Sequence, residues 1–299
     1  MLEALDPQPG EHALDCTAGA GGHAAAIAER LGPSGRLTLL DADADNLAYA
    51  AARVRERAPL PALVTRHTNF AAAPRLLANE SAPPVHTVLA DLGFASNHVD
   101  DPSRGFAFRH DGPLDMRFDP TRGLSARDLV NDAPEAELSR IFREWGEEPA
   151  ARRVAAALVA ARAAGPIETT GQLADIVRSV VGRSARGIDP ATRCFQGLRI
   201  AVNDELGTLG ALLGAIERAA APSAGRGDFR WLAPGARIVF LTFHSLEDRP
   251  VKAAFASLVR KGWASDLAPG GGTAGPDEQR DNPRSRSARL RGIRLESPK

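Results

Sequence analysis

The sequence predicts a doubly wound α/β fold with an all-helical insert. Short apolar runs alternate with helical patterns over the first ninety residues, which is typical of a parallel sheet covered by helices on both faces. Over residues 125–221 the periodicity is almost entirely helical. The sheet pattern then returns at Ala236. We therefore predict a sheet domain over residues 1–115 and 222–299, and a helical insert over residues 116–221.

The first part of the sheet domain contains four predicted strands. Each is a short apolar run bounded by turn residues, and the first three are each followed by a stretch with helical periodicity. The helices are predicted to begin near Gly22, Ala44 and Ala72. The strands are predicted at residues 12–16, 36–40, 62–67 and 86–90.

The remaining elements follow from the same patterns. Ser245 and Asp248 have the spacing of a capping box, so we expect them to begin a helix. The insert contains predicted helices at residues 134–145, 148–164, 170–181 and 190–220. The last part of the sheet domain contains predicted strands at residues 236–243 and 288–295, with a helix at residues 245–261 between them.

Composition favours a soluble, cytoplasmic protein. The chain has 299 residues, 43% of them hydrophobic and 25% charged, which is enough for a substantial core. It has neither a run of about eighteen apolar residues nor the pattern of a signal peptide, so we expect no membrane span. Cys16 and Cys194 lack zinc-ligand spacing, so we expect two reduced thiols and no metal.

The formal net charge is zero, so nucleic-acid binding can be inferred only from local clusters of arginine. In the loop at residues 104–123, arginines alternate with aspartates. This predicts either an ion-paired surface loop or a loop in which some of the arginines bind phosphate. Arg193, Gln196 and Arg199 share one face of a predicted helix, which we expect to face RNA or water. A third cluster, near the end of the chain, contains Arg280, Arg284, Arg286, Arg289, Arg291 and Arg294.

A glycine-rich turn follows the first predicted strand. Gly19, Gly21 and Gly22 would let backbone amides approach a ligand at the start of a helix, although a purely structural turn is the alternative. Asp41 lies about twenty residues further on, where an acid can accept both hydroxyls of a ribose. Asp43 is an alternative, but it is better suited to capping the next helix. The pattern predicts an adenosine-containing ligand.

Two further acids indicate which ligand this is. Asp15 ends the first strand, where it would repel a pyrophosphate but tolerate the cationic amino-acid part of S-adenosylmethionine. We therefore favour a methyl donor over a dinucleotide. Asp91 ends the fourth strand, beside the first at the switch point of the sheet. It is either a turn acid before Gly93 or an acceptor for an amine of cofactor or substrate.

The chain resembles the RsmH (MraW) family of class I methyltransferases over nearly its whole length. The resemblance is carried, in order, by DCTAGAGGH, DLGFAS, RGFAFRHDGPLDMRFDPTRG, WGEE, DPATRCFQGLRIAVNDEL, FHSLEDR and NPRSRSARLR. It implies a Rossmann-like core with a helical substrate-recognition insert. It also implies transfer of a methyl group from S-adenosylmethionine to the N4 amine of a cytosine in 16S ribosomal RNA of the small ribosomal subunit.

The resemblance assigns roles to particular positions. It makes Gly21, Gly22 and His23 contacts of the methionine part of the cofactor, Asp41 the ribose-binding acid and Phe70 an aromatic beside the adenine. The sequence departs from the family at Ala95, usually a serine, at His98, usually a glutamine, and in lacking the family's His-x-Pro-Val segment near its start. The implied cofactor-binding residues are Gly21, Gly22, His23, Asp41, Phe70, Asp91 and His98.

The chemistry of the predicted reaction suggests catalytic residues. The lone pair of a cytosine amine is delocalised into the ring, so the site must accept an amine proton, and we expect Asp91 and Ser96 to do so. The base must also leave its stack, for which Phe94, Phe106 and Phe108 are candidate platforms unless they are core residues. His244, after the fifth strand, is a further candidate for substrate contact. The alternatives are a non-catalytic RNA-binding relative, which the departures favour, and an NAD-dependent oxidoreductase.

Overall fold

The computed structural model describes residues 1–57, 59–182, 189–222 and 230–296. Its contacts divide the chain into two compact units, which we call the sheet unit and the helical unit. The sheet unit comprises Met1–Phe94 and Leu206–Lys299, and the helical unit comprises Ala95–Glu205. Both boundaries therefore lie earlier in the chain than the predicted ones, at residues 115 and 221.

Local packing explains the earlier boundaries. The arginine-rich loop belongs to the helical unit because it bonds to its helices: the amide of Thr170 donates to the carbonyl of Gly112, and the amide of Leu114 donates to the carbonyl of Glu168. At the other boundary, the helix after residue 205 packs Leu212 into the core of the sheet unit. Sequence periodicity shows where a helix lies but not which core it joins.

The strands are β1 (His12–Asp15), β2 (Arg36–Asp41), β3 (Ala62–His67), β4 (Val85–Asp91), β5 (Leu232–Thr242), β6 (Ala264–Asp266), β7 (Gly272–Thr273) and β8 (Arg289–Leu295). They form one sheet in the order β3-β2-β1-β4-β5-β8-β6, with β7 paired to β8. Strands β1 to β5 are parallel, and β8 is antiparallel to β5. The doubly wound prediction is confirmed, and each predicted strand is present, with ends that differ by at most a few residues.

The helices are α1 (Leu2–Leu5), α2 (Gly22–Leu31), α3 (Ala44–Arg55), α4 (Ala73–Asn79), α5 (Ser96–Asp100), α6 (Ala126–Asp132), α7 (Glu135–Glu144), α8 (Ala151–Ala164), α9 (Thr170–Val181), α10 (Ala191–Asn203), α11 (Glu205–Ala220), α12 (Ser245–Arg260) and α13 (Pro276–Asp281). Among the described residues, no helix is both long enough and apolar enough to cross a bilayer.

Three predictions about helices were wrong or incomplete. The single helix predicted at residues 190–220 is two helices, because Asp204 adopts a left-handed conformation with φ 48° and ψ 43° between them. Helix α6 was not predicted, although Ser125 and Asp128 form its capping box. The capping box predicted at Ser245 and Asp248 is absent: His244 is the N-cap residue of α12, and it makes no side-chain cap.

Both faces of the sheet are covered by apolar side chains. On one face Leu14, Val88 and Ile238 pack with α11 and α12, and on the other Leu39 and Leu89 pack with α2 and α3. These side chains are essentially fully buried. The two layers fix the strands in register, so the residues that end β1, β2 and β4 are held at one edge of the sheet.

Candidate cofactor and catalytic site

Three acidic residues end three neighbouring strands. Asp41 is the last residue of β2, Asp15 of β1 and Asp91 of β4. These strands are parallel and adjacent in the order β2-β1-β4, so their carboxyl ends lie at the same edge of the sheet. Ligands of open α/β sheets bind outside this edge. The predicted placement of the three acids is confirmed.

Asp15 is the most deeply buried of the three acids, with no exposed surface. Its Oδ1 accepts a hydrogen bond of 3.0 Å from the amide of Thr17, while its Oδ2 has no partner among the described residues. Burial raises the pKa of Asp15 to about 7, and the charges of Asp91 and Asp41 add to the effect, against the Thr17 amide and His23. A cation in front of this carboxylate would compensate its burial.

Asp41 organises the glycine turn. One of its oxygens accepts a hydrogen bond of 2.8 Å from the amide of Gly19, and the other accepts one of 2.8 Å from the amide of Asp43. Asp43, the alternative to Asp41 as the ribose-binding acid, has a different role: its side chain accepts from the amides of Asp45 and Asn46. Asp43 is therefore the N-cap of α3, as predicted, and Asp41 is the acid nearer the turn.

The three glycines of the turn have different roles. Gly19 and Gly21 have positive φ angles of 48° and 72°. A Cβ atom at Gly21 would lie 2.7 Å from the Cα atom of Ala50 on α3, so glycine is required there for the packing of α2 on α3. Gly22 is exposed, and a Cβ atom there would meet only the end of Arg53, at 3.9 Å. Of the three, Gly22 is thus the one whose glycine identity is explained neither by packing nor by a positive φ.

His23 lies next to Asp91. Its Nε2 is 3.5 Å from Oδ2 of Asp91, and both side chains are partly exposed. The hydrogen bond to Asp91 raises the pKa of His23, against the effect of burial. The amide of Asp91 donates to Oγ1 of Thr17, at 2.7 Å, while its Oδ1 is buried without a partner among the described residues. Sequence analysis missed Thr17, which ties the ends of β1 and β4 together.

Phe70 follows β3 and lies in a short 3-10 turn, Phe70–Ala72. The side chain of Asn69 caps this turn by accepting from the amide of Ala71. The ring of Phe70 is half-buried against the core of the sheet unit. This leaves part of the ring exposed, and its contact with adenine stays a prediction.

Ser96 and His98 belong to the helical unit. Ser96 is exposed at the first position of α5. His98 is only 3% exposed, and its ring stacks on Phe106 with centroids 4.8 Å apart. Its Nδ1 accepts a hydrogen bond of 3.2 Å from the amide of Ala95, which helps to begin α5. The structure therefore gives His98 a structural role, and its contact with the cofactor stays a prediction.

Most side chains of the arginine-rich loop bind within the loop. Arg117 makes two hydrogen bonds to the carboxylate of Asp115, of 3.0 and 2.7 Å, and Arg122 lies 2.7 Å from Asp119. Arg104 donates to backbone carbonyls of residues 117 and 118. The alternative of an ion-paired loop is thus confirmed for Arg117 and Arg122. Arg109 is exposed and makes no hydrogen bond or ion pair with any residue that the structure describes.

The predicted polar face of α10 packs against protein. Arg199 is 7% exposed and forms a double hydrogen bond with Glu205, and Gln196 donates to the carbonyl of Trp145. The prediction that this face meets RNA or water is wrong for Arg199, because three-residue spacing does not indicate what covers a helix. Gln196 is partly exposed. Arg193 remains half exposed.

Two of the three candidate aromatic platforms are already packed. Phe106 stacks on Phe118 as well as on His98, and Phe108 makes an edge contact with Phe195 at a centroid distance of 4.7 Å. Phe94, by contrast, is 41% exposed. The alternative of core packing thus holds for Phe106 and Phe108.

The sequence model of the MraW methylase family matches residues 1–296. The chain belongs to the MraW methylase family. Three similar relatives are each described as ribosomal RNA small subunit methyltransferase H. The one from Symbiobacterium thermophilum is 42% identical over 98% of this chain and 93% of its own length. The relative from Syntrophotalea carbinolica is also 42% identical, with 98% and 95% covered, and that from Thermomicrobium roseum is 44% identical, with 97% and 89% covered.

Membership of the MraW methylase family makes this chain a methyltransferase of the class I fold, with S-adenosylmethionine as its methyl donor. The alternative of an NAD-dependent oxidoreductase is wrong. The site fits the donor: S-adenosylmethionine carries a sulfonium and an ammonium group. The edge of the sheet offers one buried oxygen each of Asp15 and Asp91 that has no partner among the described residues. The side chain of Arg53 on α3 donates a hydrogen bond to the carbonyl of Ala20.

Proposed function

We propose that this protein methylates the N4 amine of a cytosine in 16S ribosomal RNA, within the small ribosomal subunit in the cytoplasm. The relatives named above are described as methyltransferases of small-subunit ribosomal RNA, which supports this substrate. The observation that carries the proposal is the carboxylate of Asp91 at the edge of the sheet, near the buried Asp15, with one oxygen that no described residue binds.

The residues of the sheet unit have distinct roles in holding the donor. Asp41 would accept the ribose hydroxyls, because its carboxylate lies at the end of β2 and binds the amide of Gly19 in the turn. Gly21 and Gly22, with His23, would contact the methionine part, and Phe70 would lie against the adenine. When bound, S-adenosylmethionine supplies an electrophilic methyl group on a positively charged sulfur.

Asp91 is proposed as the acceptor of the amine proton. A cytosine amine becomes a useful nucleophile only as it loses a proton, and an ionised carboxylate within hydrogen-bond reach can accept it. The hydroxyl of Thr17 accepts from the amide of Asp91 and so fixes its backbone. His23 contacts Oδ2 of Asp91. Ser96 is proposed as a second polar contact of the amine, and His98 as a contact of the cofactor.

The helical unit is proposed to recognise the RNA. Its exposed Arg109, and Arg193 on α10, are basic side chains with which it could contact phosphate. The sequence departures at Ala95 and His98 favour a non-catalytic RNA-binding relative. Membership of a methyltransferase family argues against it, as do Asp15, Asp41 and Asp91 at the ends of neighbouring strands with His23 beside Asp91.

The test is transfer of radiolabelled methyl groups to small ribosomal subunits isolated from a strain that lacks the modification. We expect Asp91→Asn to lower the rate by about a hundredfold or more, because the amide cannot accept the proton as a base. Asp45→Asn is the matched control, since Asp45 is an exposed acid on α3 outside the site.

Circular dichroism and thermal denaturation would confirm that both variants are folded. Undiminished labelling with Asp91→Asn would remove the proposed role of Asp91. Binding of RNA and S-adenosylhomocysteine without any labelling by the unmodified protein would favour the non-catalytic alternative.

A further inference from the structure

The last long strand of the sheet, β8, and the residues just before it form a basic segment. Residues 282–295 contain five arginines and no acidic residue, although the whole chain has no net charge. Strand β8 lies in this segment and runs antiparallel to β5, which is itself parallel to β4. Strand β8 therefore begins at the edge where β4 ends. The arginines at its start lie at the same edge of the sheet as Asp91.

One of these arginines has a structural role. Nε and Nη2 of Arg291 each donate a hydrogen bond of 2.9 Å to the carboxylate of Asp248 on α12. A Cβ atom at Gly271 would lie 2.7 Å from Nη1 of Arg291, so the loop before β7 packs closely over this guanidinium. Arg291 therefore holds β8 to α12 and is not available to a ligand.

Arg286 and Arg289 differ from Arg291 because both are exposed. Neither side chain makes a hydrogen bond or an ion pair with a residue in the described ranges. Asp248, the acid on which the charge of Arg289 acts, already binds Arg291 with both of its oxygens. The two exposed guanidinium groups thus have no hydrogen-bonded acid among the described residues.

The backbone around these two arginines is held in place. Ser285 is buried, and its hydroxyl donates to the carbonyl of Asn282, at 2.7 Å. Arg289 pairs with Thr242 at the end of β5 on one side and with Thr273 of β7 on the other. A backbone that is already held in place loses less conformational freedom when a ligand binds, which favours binding.

We propose that Arg286 and Arg289 bind phosphate groups of the ribosomal RNA that flank the cytosine to be methylated. The inference rests on the proposed function. Guanidinium groups match phosphate with paired hydrogen bonds. Only β5 separates β8 from β4, and two strand spacings amount to about 10 Å, which is the scale of one or two nucleotides.

The faces of the sheet agree with this arrangement. Arg289 and its register partner Thr242 lie on the side of the sheet that carries Asp248 and α12. Asp91 is in register with Leu241, the residue before Thr242, and so lies on the other side. A single strand that crosses the edge of the sheet would place a base at Asp91 and a neighbouring phosphate at Arg289.

The test measures binding of a fluorescent single-stranded fragment of small-subunit ribosomal RNA, by polarisation, between 50 and 200 mM KCl. Each of Arg286→Ala and Arg289→Ala should lower the slope of log affinity against log salt by about 0.7, and the double variant by about 1.4. Affinity at low salt should fall several-fold for each single variant. Binding of S-adenosylhomocysteine, measured by calorimetry, should not change.

Arg294→Ala is the matched control. Arg294 is an exposed arginine of the same strand, but it pairs with Arg237 near the opposite edge of the sheet. Its replacement should leave the salt slope unchanged. If the double variant and this control cannot be distinguished while the unmodified protein binds and methylates, the inference is wrong and the proposed function stands. If the unmodified protein binds no RNA at low salt, both are wrong.

Discussion

Asp15, Asp41 and Asp43 lie at or just after the ends of the first two strands but have different environments in the fold. Asp43 caps a helix, and Asp41 binds two amides, so backbone donors stabilise both charges. Asp15 has one amide partner and one oxygen without a described partner. A residue whose burial is poorly compensated is typical of a site that binds a charged ligand.

We expect Asp15→Asn to make the cofactor-free protein more stable than the wild type, and the difference to grow as the pH rises. Burial raises the pKa of Asp15 to about 7, so the folded state binds a proton that the unfolded state loses near its usual pKa of 3.8. The wild type therefore loses stability between about pH 4 and pH 7, by at most about 1.4 kcal/mol for each pH unit. The variant has no such loss, and its amide oxygen can still accept from Thr17.

Urea unfolding at pH 5 and pH 8 measures this effect. The free energy of unfolding of the variant minus that of the wild type should be about 2 kcal/mol larger at pH 8 than at pH 5. The same variant should bind S-adenosylmethionine about tenfold more weakly, since it lacks the charge that faces the cation. A stability difference that does not change with pH would contradict the burial argument.

At the scale of elements, the turn between β1 and α2 combines two requirements. Gly21 allows α2 to approach α3, and its positive φ suits glycine. Gly22 has neither a close neighbour nor a positive φ. The two adjacent glycines are thus needed for different reasons. Gly21 is needed for helix packing, and Gly22, by our proposal, for the approach of the cofactor.

Substitution of these two glycines separates the constraints. Gly21→Ala should lower the free energy of unfolding by about 2 kcal/mol or more, because the new Cβ would overlap the backbone at Ala50. Gly22→Ala should leave stability unchanged or raise it by about 0.5 kcal/mol, since alanine favours the helix. Chemical denaturation checks both, and calorimetry should show weaker cofactor binding for Gly22→Ala. Unchanged binding would mean that the cofactor does not approach Gly22 closely.

At the scale of the whole molecule, binding at the sheet edge should stabilise the protein. At a ligand concentration one hundred times the dissociation constant, S-adenosylhomocysteine should add about 2.7 kcal/mol to the free energy of unfolding. Thermal denaturation should show this as a rise of several degrees in Tm. NAD at the same concentration serves as the control and should give no shift, because a pyrophosphate would face Asp15. A shift with NAD alone would contradict the assignment of the cofactor.

The accuracy of the sequence predictions varies with the kind of feature. The sheet and its acidic strand ends were predictable because strand periodicity and turn chemistry are local, and β1 to β4 follow one another with short helices between them. The break between α10 and α11 at Asp204 was not predictable, because the left-handed backbone of this residue interrupts a continuous helical pattern without a glycine or proline. The roles of His98 and Arg199 also escaped prediction, since both depend on partners that pack against them.

The sequence by itself determined the doubly wound sheet, the helical insert, the methyl donor and the acids at the ends of β1, β2 and β4, because periodicity, strand ends and motif order are written along the chain. Only the tertiary structure decided that Thr17 joins two of these strands, that Gly21 serves helix packing, and that Arg291 is paired while Arg286 and Arg289 are exposed. The physical reason is that burial and pairing depend on neighbours brought together from distant parts of the chain.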